Sequence, residues 1–412
     1  MTFLYHILIH VYYFLVLVAS AFNPKARLWI KGRMGWRKRI SYWNPDGKPA
    51  IWFHAASLGE FEQGRPLIDK IRESHPNYNI LLTFYSPSGF EIRKSYPGAD
   101  LVMYLPLDTS YNARLFVKLV NPIVTIFIKY EFWHFYLKEL HKTNHPVFLI
   151  SAIFRPGQAF FKWYGAWFRK NLQFIDYFFV QDKDSAHLLH QIALTNCKVS
   201  GDTRFDRVKT LSDSAKDIEI ARVFSDGHDC LVAGSTWPED EEFLSRLINE
   251  SAAKVRLIIA PHEITASHIS QLTSRVTCDF VLYSRATTPD EFNNKQVLII
   301  DNIGMLSSLY RYGRIAYIGG GFGKGIHNIL EAAAFGIPVI FGPNFEKFRE
   351  ARELLSLGGA FTIKNQEDLG NILNELNSNT EKYNSSALAA ASYVRENTGA
   401  TSIIFDFLAR YF

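Results

Sequence analysis

The chain has few of the residues that form disulfides or zinc sites. Its 412 residues include three cysteines, Cys197, Cys230 and Cys278, which lie far apart and form no CxxC pair. This pattern excludes a disulfide framework or a zinc site and fits a reducing compartment. The formal net charge of +5 is too small to indicate a nucleic-acid partner. With 48% hydrophobic residues, the chain can bury the cores of two to three domains.

Charged residues are absent from residues 1–22. The run FLYHILIHVYYFLVLVASAF within this segment is just long enough to span a bilayer core of about 30 Å as a helix. Seven basic residues follow it before the first acid, Asp46: Lys25, Arg27, Lys31, Arg33, Arg37, Lys38 and Arg39. A cleaved signal peptide is the alternative, because Ala19–Ala21 resembles a cleavage site, but the basic residues stand on the wrong side of the apolar run. We predict a retained anchor over 1–22, spanning or deeply interfacial, with the rest of the chain in the cytoplasm.

Beyond residue 48, short apolar runs alternate with longer amphipathic stretches. The runs are Ala50–His54, Ile80–Phe84, Leu101–Tyr104, Ile123–Ile128, Val147–Ser151, Tyr177–Val180 and Lys198–Gly201, then Cys230–Ala233, Val255–Ala260, Phe280–Tyr283, Val297–Ile300, Ile315–Ile318 and Pro338–Phe341. This alternation is typical of parallel α/β sheets. It predicts two Rossmann-like, doubly wound domains facing a cleft, which is the GT-B architecture. The predicted domains are 23–201 and 218–412, joined by a polar linker at 202–217.

Three familiar site motifs are approached but not matched. The turn Gly319–Gly325 lacks the GxGxxG spacing and the Ser or Thr that follows the lysine of a P-loop. His262 and His268 are six residues apart, so they cannot share a helical face as zinc ligands. Asp182 and Asp184 have the DxD spacing of metal-dependent glycosyltransferases, but they precede a helical run and are better explained as helix caps. We therefore expect no metal site and no cofactor.

Two carboxylates in the first half follow predicted strands directly. Glu60 ends the stretch WFHAASLGE, where the first strand turns into a helix, and Glu131 follows the strand that ends in IVTIFIKY. Parallel sheets place their ligands at the carboxyl ends of strands, so both side chains can reach a ligand. From spacing alone the alternatives stay open: Glu60 as a complement to the helix dipole, and Glu131 as a surface acid.

Equivalent junctions in the second half carry small and polar residues. They are Ser235 and Thr236 after the strand CLVA, Pro261 and His262 after VRLIIA, and Asn328 and Glu331 after the glycine-rich turn. Backbone N–H groups at helix starts bind phosphate without a metal, so Ser235 and Thr236 are candidate phosphate contacts. Glu331 is suitably placed to accept ribose hydroxyls. Ordinary helix-initiating residues are the alternative here.

Seven segments occur in the order found in one enzyme family: WFHAASLGE, KYEFW, GDTRFD, AGSTW, APHE, DNIGML and GIHNILEAAA. Together they closely resemble the 3-deoxy-D-manno-octulosonic acid (Kdo) transferases of lipid A assembly, from the N-terminal anchor to about Ala360. The resemblance implies transfer of Kdo from CMP-Kdo to a lipid A precursor at the cytoplasmic face of the inner membrane. The implied partners are the CMP-Kdo donor, the lipid A precursor acceptor and the inner-membrane bilayer. The N-terminal domain would then hold the acceptor and the C-terminal domain the CMP-sugar.

The resemblance also implies roles for individual residues. Glu60 matches the family's general base, and Glu131 and Arg204 match residues credited with transition-state stabilisation. The implied CMP contacts are Pro261, His262, Ile303, Gly304, Met305, Asn328, Ile329, Leu330 and Glu331. Met305, Ile326 and Arg204 stand where many relatives have Glu, Gly and Lys. The implied reaction inverts configuration and needs no metal, because CMP is a monophosphate leaving group.

Two other functions share this architecture. One is a GT-B transferase that uses a UDP-sugar on a different lipid. The other is a non-catalytic, membrane-tethered binder of nucleotide sugars. The pair Glu60 and Glu131 favours an enzyme, because a pure binding module has no need for a base.

Overall fold

Two parallel sheets of seven strands organise the chain. The computed structural model describes residues 1–44, 47–250, 255–286, 288, 291–292 and 294–412. The described residues divide into two units: Met1–Arg207 with Thr398–Phe412, and Val208–Asn397. Each unit contains one of the sheets, so the predicted α/β class with two Rossmann-like domains is confirmed.

The first sheet has the strand order β3-β2-β1-β4-β5-β6-β7, with neighbouring strands parallel. Its strands are β1 Ala50–Ala55, β2 Asn79–Phe84, β3 Leu101–Tyr104, β4 Pro122–Ile128, β5 Val147–Ala152, β6 Tyr177–Val180 and β7 Cys197–Val199. Every residue of β1 is buried, as expected for a central strand covered by helices on both faces.

Helices of the first unit cover both faces of this sheet. They are α1 Thr2–Ala19, α2 Pro24–Arg33, α3 Trp36–Trp43, α4 Leu58–Ser74, α5 Pro87–Arg93, α6 Ser110–Val120, α7 His134–Lys142, α8 Ala166–Leu172, α9 Lys183–Gln191 and α10 Thr203–Asp213, with the last helix of the chain, α19 Ala400–Leu408. The Asp182 carboxylate accepts a hydrogen bond from Ser185 N at 2.7 Å, which confirms its role as the cap of α9.

The second sheet has the order β10-β11-β9-β8-β12-β13-β14, again with parallel neighbours. Its strands are β8 Cys230–Thr236, β9 Arg256–Pro261, β10 Phe280–Leu282, β11 Val297–Ile299, β12 Ile315–Ile318, β13 Val339–Phe341 and β14 Ala360–Thr362. Its helices are α11 Glu219–Ser225, α12 Pro238–Glu250, α13 Ala266–Arg275, α14 Leu306–Leu309, α15 Leu330–Ala333, α16 Arg349–Ser356, α17 Gln366–Ser378 and α18 Thr380–Glu396.

Strand order reverses at one place in each sheet, between β1 and β4 in the first and between β8 and β12 in the second. Open α/β sheets bind ligands at such a switch point, outside the carboxyl ends of the strands. Glu60 and Glu131 follow β1 and β4, and Trp237 and the glycine-rich turn 319–325 follow β8 and β12. Each unit therefore presents its candidate residues at its own switch point.

The division of the chain differs from the predicted domains at two points. The predicted linker 202–217 is largely the helix α10, and the units divide within it, after Arg207. The predicted C-terminal domain ran to residue 412, but 398–412 belong to the first unit. The reason is the N-terminus of α19, where the Asp206 carboxylate accepts hydrogen bonds from Gly399 N at 2.5 Å and Thr401 N at 2.7 Å. Ile404 and Leu408 complete the attachment within the core of the first unit.

Helix α1 is long and apolar enough to cross a membrane, by length and composition. Only Ile9 of its 18 residues is buried, whereas the core helix of a soluble protein is mostly buried. One side of α1 contacts the first unit through Tyr5, whose hydroxyl donates a hydrogen bond to Asp108 Oδ2 at 2.6 Å. The next two helices are more integrated, since Trp29, Trp36 and Ile40 are buried. The anchor over 1–22 stays a prediction.

Candidate active site

Glu60 lies in the first turn of α4, just after β1. Its Oε2 accepts hydrogen bonds from Ala56 N at 2.6 Å and from Ser57 N at 3.2 Å. Ser57 is the N-cap residue and Glu60 is at position N3, so the two form a capping box at the start of α4. The capping alternative raised by the sequence is therefore correct as a description of Oε2. Among the described residues, Oε1 receives no hydrogen bond.

Glu60 has a second property besides helix capping, because its pKa is raised above the usual value of a glutamate. Burial raises the pKa of Glu60, and the nearby negative charge of Glu131 raises it as well, whereas the two backbone N–H groups and Lys129 lower it. The balance of these effects is a pKa of about 7. A carboxyl group that titrates near neutral pH can exchange a proton with a substrate under cellular conditions.

Glu131 lies three residues after β4 and is buried, with 6% of its surface exposed. It is therefore not the surface acid that the sequence left as an alternative. Its Oε2 is 2.9 Å from His54 Nε2 and accepts a hydrogen bond from Trp133 Nε1 at 2.5 Å. The chain approaches this position through Lys129, whose φ of +69° is rare for a non-glycine residue. Strained backbone of this kind concentrates at functional sites.

His54, on β1, has no exposed surface and contacts Glu131, which follows β4. Its Nε2 contacts Glu131, while its Nδ1 lies 2.9 Å from Thr83 Oγ1 on β2. The Thr83 hydroxyl also accepts a hydrogen bond from Trp52 Nε1 at 2.8 Å. The network thus fixes the Glu131 carboxylate against β1 and β2. The sequence offered one signal for His54: it is a polar residue inside the apolar run WFHA.

The segment GDTRFD holds Arg204 in a fixed place. Asp202 Oδ2 accepts hydrogen bonds from Arg204 Nε at 2.8 Å and from Arg204 Nη2 at 2.7 Å, and Asp202 itself is 7% exposed. Thr203, which is fully buried, donates its hydroxyl to the Gln63 carbonyl oxygen on α4. A two-point pairing of this type orients the planar guanidinium group. The sequence identified Arg204 but not the partner that positions it.

Three rings stack at the switch point of the second sheet. The ring centroids of Trp237 and His262 are 4.7 Å apart, and those of His262 and His327 are 4.5 Å apart. Trp237 Nε1 donates a hydrogen bond to His327 Nε2 at 3.0 Å. Burial and, to a smaller extent, the neighbouring His262 lower the pKa of His327 to about 4. His327 is therefore neutral near pH 7, and the stack offers flat apolar faces.

Two buried acids organise the loops around this stack. Asp240, in the first turn of α12, accepts hydrogen bonds from Trp237 N at 2.9 Å, Gly320 N at 2.8 Å and the Tyr317 hydroxyl at 2.7 Å. It ties the loop after β8 to the loop after β12, and its pKa is raised by burial. Glu241 contacts His268 Nε2 at 2.8 Å. The sequence missed both acids, because they stand in a run of four acids that reads as a solvated helix face.

The two candidate phosphate contacts differ in what their side chains can do. Thr236 is fully buried, and its hydroxyl donates a hydrogen bond to Glu241 Oε1 at 3.1 Å. Its side chain is thus not available to a phosphate. Ser235 is half-buried and has a φ of +53°, another strained position at a strand end. Phosphate binding through the backbone N–H groups of these residues stays a prediction.

The predicted nucleotide contacts fall into three groups by exposure. His262, Ile303, Gly304 and Asn328 are exposed, whereas Met305 and Glu331 are partly buried. Pro261, Ile329 and Leu330 are buried, so their side chains serve the core, and Leu330 N already donates a hydrogen bond to Asn328 Oδ1 at 3.2 Å. Asn328 Nδ2 also donates to Glu331 Oε1 at 3.1 Å, which places amide and carboxylate side by side.

No group of three or more His, Cys, Asp or Glu side chains is arranged to hold a metal ion in the described part of the chain. Since Asp182 caps α9, the DxD spacing has a structural explanation.

Comparisons with known proteins agree with these observations. A family model described as 3-deoxy-D-manno-octulosonic-acid transferase (kdotransferase) matches residues 30–207. The 3-deoxy-D-manno-octulosonic acid transferase of Aquifex aeolicus is 29% identical over 80% of this chain and 86% of its own length. The protein of the same name from Haemophilus influenzae is 26% identical over 95% of this chain and 93% of its own length.

A solved structure resembles the chain over both units. The UDP-GlcNAc 2-epimerase from Neisseria meningitidis, bound to UDP-GlcNAc, aligns with a TM-score of 0.62 at 16% identity, over 88% of this chain and 100% of that chain. At this identity the likeness shows the fold alone, and it confirms the GT-B-like class. The matching family model and the curated relatives show more than the fold: the chain is a glycosyltransferase, similar over most of its length to curated 3-deoxy-D-manno-octulosonic acid transferases.

Proposed function

We propose that this enzyme transfers Kdo from CMP-Kdo to a sugar hydroxyl of a lipid A precursor, with inversion of configuration and without a metal. The reaction would take place at the cytoplasmic face of the inner membrane. The observation that carries the proposal is Glu60, a carboxyl group with a pKa of about 7 at the switch point of the first sheet. The similarity to curated transferases favours an enzyme over the non-catalytic binder.

Glu60 acts as the general base. As the acceptor hydroxyl attacks the anomeric carbon, its proton passes to the carboxylate, and the attack comes from the face opposite the departing CMP. Oε1 is the oxygen that takes the proton, because Oε2 is occupied by the N–H groups of Ala56 and Ser57. A base is most effective when its pKa lies near the working pH, which a value of about 7 satisfies.

Glu131 and Arg204 stabilise opposite charges in the transition state. Departure of CMP leaves positive, oxocarbenium-like character on the sugar, which the buried carboxylate of Glu131 would stabilise. The guanidinium of Arg204, oriented by Asp202, would stabilise the leaving phosphate. Such groups contribute strongly because the fold orients them before the reaction begins.

The second unit holds the nucleotide. His262 and the loop 303–305 are the exposed candidates for the cytosine ring and its neighbourhood, while Glu331 accepts the ribose hydroxyls beside Asn328. Asp240 is a positioning residue for this site, since it fixes the backbone of Trp237 and of Gly320 without being exposed itself.

The decisive experiment is incubation of the full-length enzyme with CMP-Kdo and a lipid A precursor, followed by mass spectrometry of the lipid. We expect a mass increase equal to one or more Kdo residues. UDP-sugars offered with the same acceptor test the other GT-B transferase. Transfer from a UDP-sugar, or stabilisation of the protein against heat by UDP rather than by CMP, would overturn the assignment of the donor.

Helix α1 supports the membrane location. Its apolar side chains are largely exposed, and the basic residues of α2 and α3 follow it directly, a pattern that favours anionic lipid. A shortened chain that starts at Asn23 keeps Trp29 and Trp36 in the core. We expect this protein to leave the membrane fraction while it retains CMP binding, as measured by sedimentation with vesicles and by calorimetry. Full-length protein that stays in the soluble fraction without detergent would contradict the anchor.

A further inference from the structure

An apolar cavity of about 380 Å³ lies between the start of α1 and the region of α8 in the first unit. Its walls include Leu4, Leu8, Phe132, Phe160, Trp167 and Phe168. This volume lies within the usual range for a ligand site. Met1, Tyr5 and Asn171 complete the lining, and none of the nine side chains carries a charge, so the cavity suits an apolar ligand.

The cavity opens on the side of α1 that the unit leaves uncovered. Leu4 and Leu8 line the cavity, yet 48% and 55% of their surfaces are exposed. Trp163 and Tyr164, in the loop between Phe161 and α8, are also exposed, Trp163 by 91%. Exposed Trp and Tyr beside an apolar surface are typical of a membrane interface. If α1 lies in lipid, the cavity opens into hydrocarbon and not into water.

The same cavity reaches the candidate active site along the chain. Phe132, which lines the cavity, is the residue between Glu131 and Trp133 in the chain. Trp133 Nε1 donates a hydrogen bond to Glu131 Oε2 at 2.5 Å. Tyr5, which also lines the cavity, donates its hydroxyl to the buried Asp108. Asp108 in turn accepts hydrogen bonds from Phe135 N and Tyr136 N at the start of α7. The wall formed by α1 is thus fixed to the segment that carries Glu131.

We propose that this cavity binds one fatty-acyl chain of the lipid acceptor and so positions the acceptor sugar near Glu131. The inference rests on the proposed function, because it assumes an acylated acceptor. A chain of a bulk phospholipid has the same chemistry, but it would give no advantage to the acylated acceptor over a deacylated one. This difference separates the two sources.

The test compares two acceptors in detergent micelles: the acylated lipid A precursor, and the same disaccharide with its acyl chains removed. In Leu4→Trp/Leu8→Trp, indole rings fill the cavity from half-exposed positions, so folding should be preserved. We expect KM for the acylated acceptor to rise about tenfold or more, because the displaced methylenes lose their apolar burial. KM for the deacylated acceptor and for CMP-Kdo should change by less than about twofold, because neither substrate has an acyl chain whose apolar burial the indole rings could remove.

The matched control is Val11→Trp/Leu15→Trp, two exposed positions of α1 that do not line the cavity. It should leave both acceptor KM values unchanged. An equal rise for both acceptors in the filled variant, or an equal effect in the control, would overturn the acyl-chain site while leaving the proposed function intact. Absence of transfer to either acceptor by the unaltered enzyme would instead remove the proposed function.

Discussion

Glu60→Gln is expected to lower kcat by a factor of about 10²–10⁴, the usual contribution of a general base. The amide keeps an oxygen that can accept the hydrogen bonds from Ala56 N and Ser57 N, so the turn into α4 should persist. It cannot take a proton from the acceptor. Single-turnover rates with CMP-Kdo and a lipid A precursor measure the loss directly.

The pH dependence of the same enzyme gives an independent check. In the unaltered protein, kcat should fall below a pH of about 7 as Glu60 becomes protonated. Because the folded pKa is raised from 4.5, the stabilising contribution of Glu60 is present at acidic pH and is lost as pH rises through about 7. Replacement of the charged group should therefore leave the melting temperature at pH 8 unchanged or slightly higher.

The control for this substitution is Glu73→Gln, an exposed carboxylate on the same helix. It should behave as the unaltered enzyme in rate and in pH profile. If Glu60 only capped α4, its replacement would reduce the melting temperature and leave turnover near normal. That combination would refute the role as a base.

Glu131→Gln is expected to lower kcat by about 10²–10³, the range found when one electrostatic stabiliser is removed. A second effect distinguishes this substitution from the first. The charge of Glu131 helps to raise the pKa of Glu60, so its removal should shift the acidic limb of the remaining activity to lower pH. Rates measured from pH 5 to 9 test both expectations on one protein.

Glu139→Gln, on the adjacent helix α7 and only partly buried, provides the control for this variant. It changes the same net charge without touching His54 or Trp133. A pH profile of Glu131→Gln that coincides with that of the unaltered enzyme would exclude the coupling between the two carboxylates. If kcat were also near that of the unaltered enzyme, Glu131 would have a structural role alone.

The sequence was sufficient to predict most of the sheets because buried parallel strands read as short apolar runs. It missed β14, because the strand sequence AFT offers only two consecutive apolar residues and only the first of its three residues is fully buried. It also misread α10 as a linker, because the polar composition of 202–217 conceals the spacing of Phe205 and Val208, both buried. In these cases tertiary burial, which composition does not report, decided the structure.

The candidate site residues were predictable from the sequence, but the residues that position them were less so. Glu60, Glu131 and Arg204 stand in motifs of the resembled family, and all three lie at or near strand ends of the first unit. His54, which positions Glu131, contacts it from a strand that is distant in sequence. Asp202, which positions Arg204, also accepts a hydrogen bond from Gln63 Nε2, 139 residues away along the chain. Asp240 was hidden among neighbouring acids, because exposure cannot be read from a charge run. Long-range hydrogen bonds leave no local periodicity.

The return of α19 to the first unit has a consequence for biosynthesis. Residues 208–397 are one continuous stretch, so the second unit can fold as soon as it has left the ribosome. The first unit emerges earlier but lacks Ile404 and Leu408, which belong to its core, until residues 398–412 are translated. The backbone N–H groups that Asp206 caps, those of Gly399 and Thr401, are likewise translated almost two hundred residues after it. The first unit, whose larger part is made first, is therefore completed after the second, and a nascent chain carries an unfinished first unit until residues 398–412 have been made.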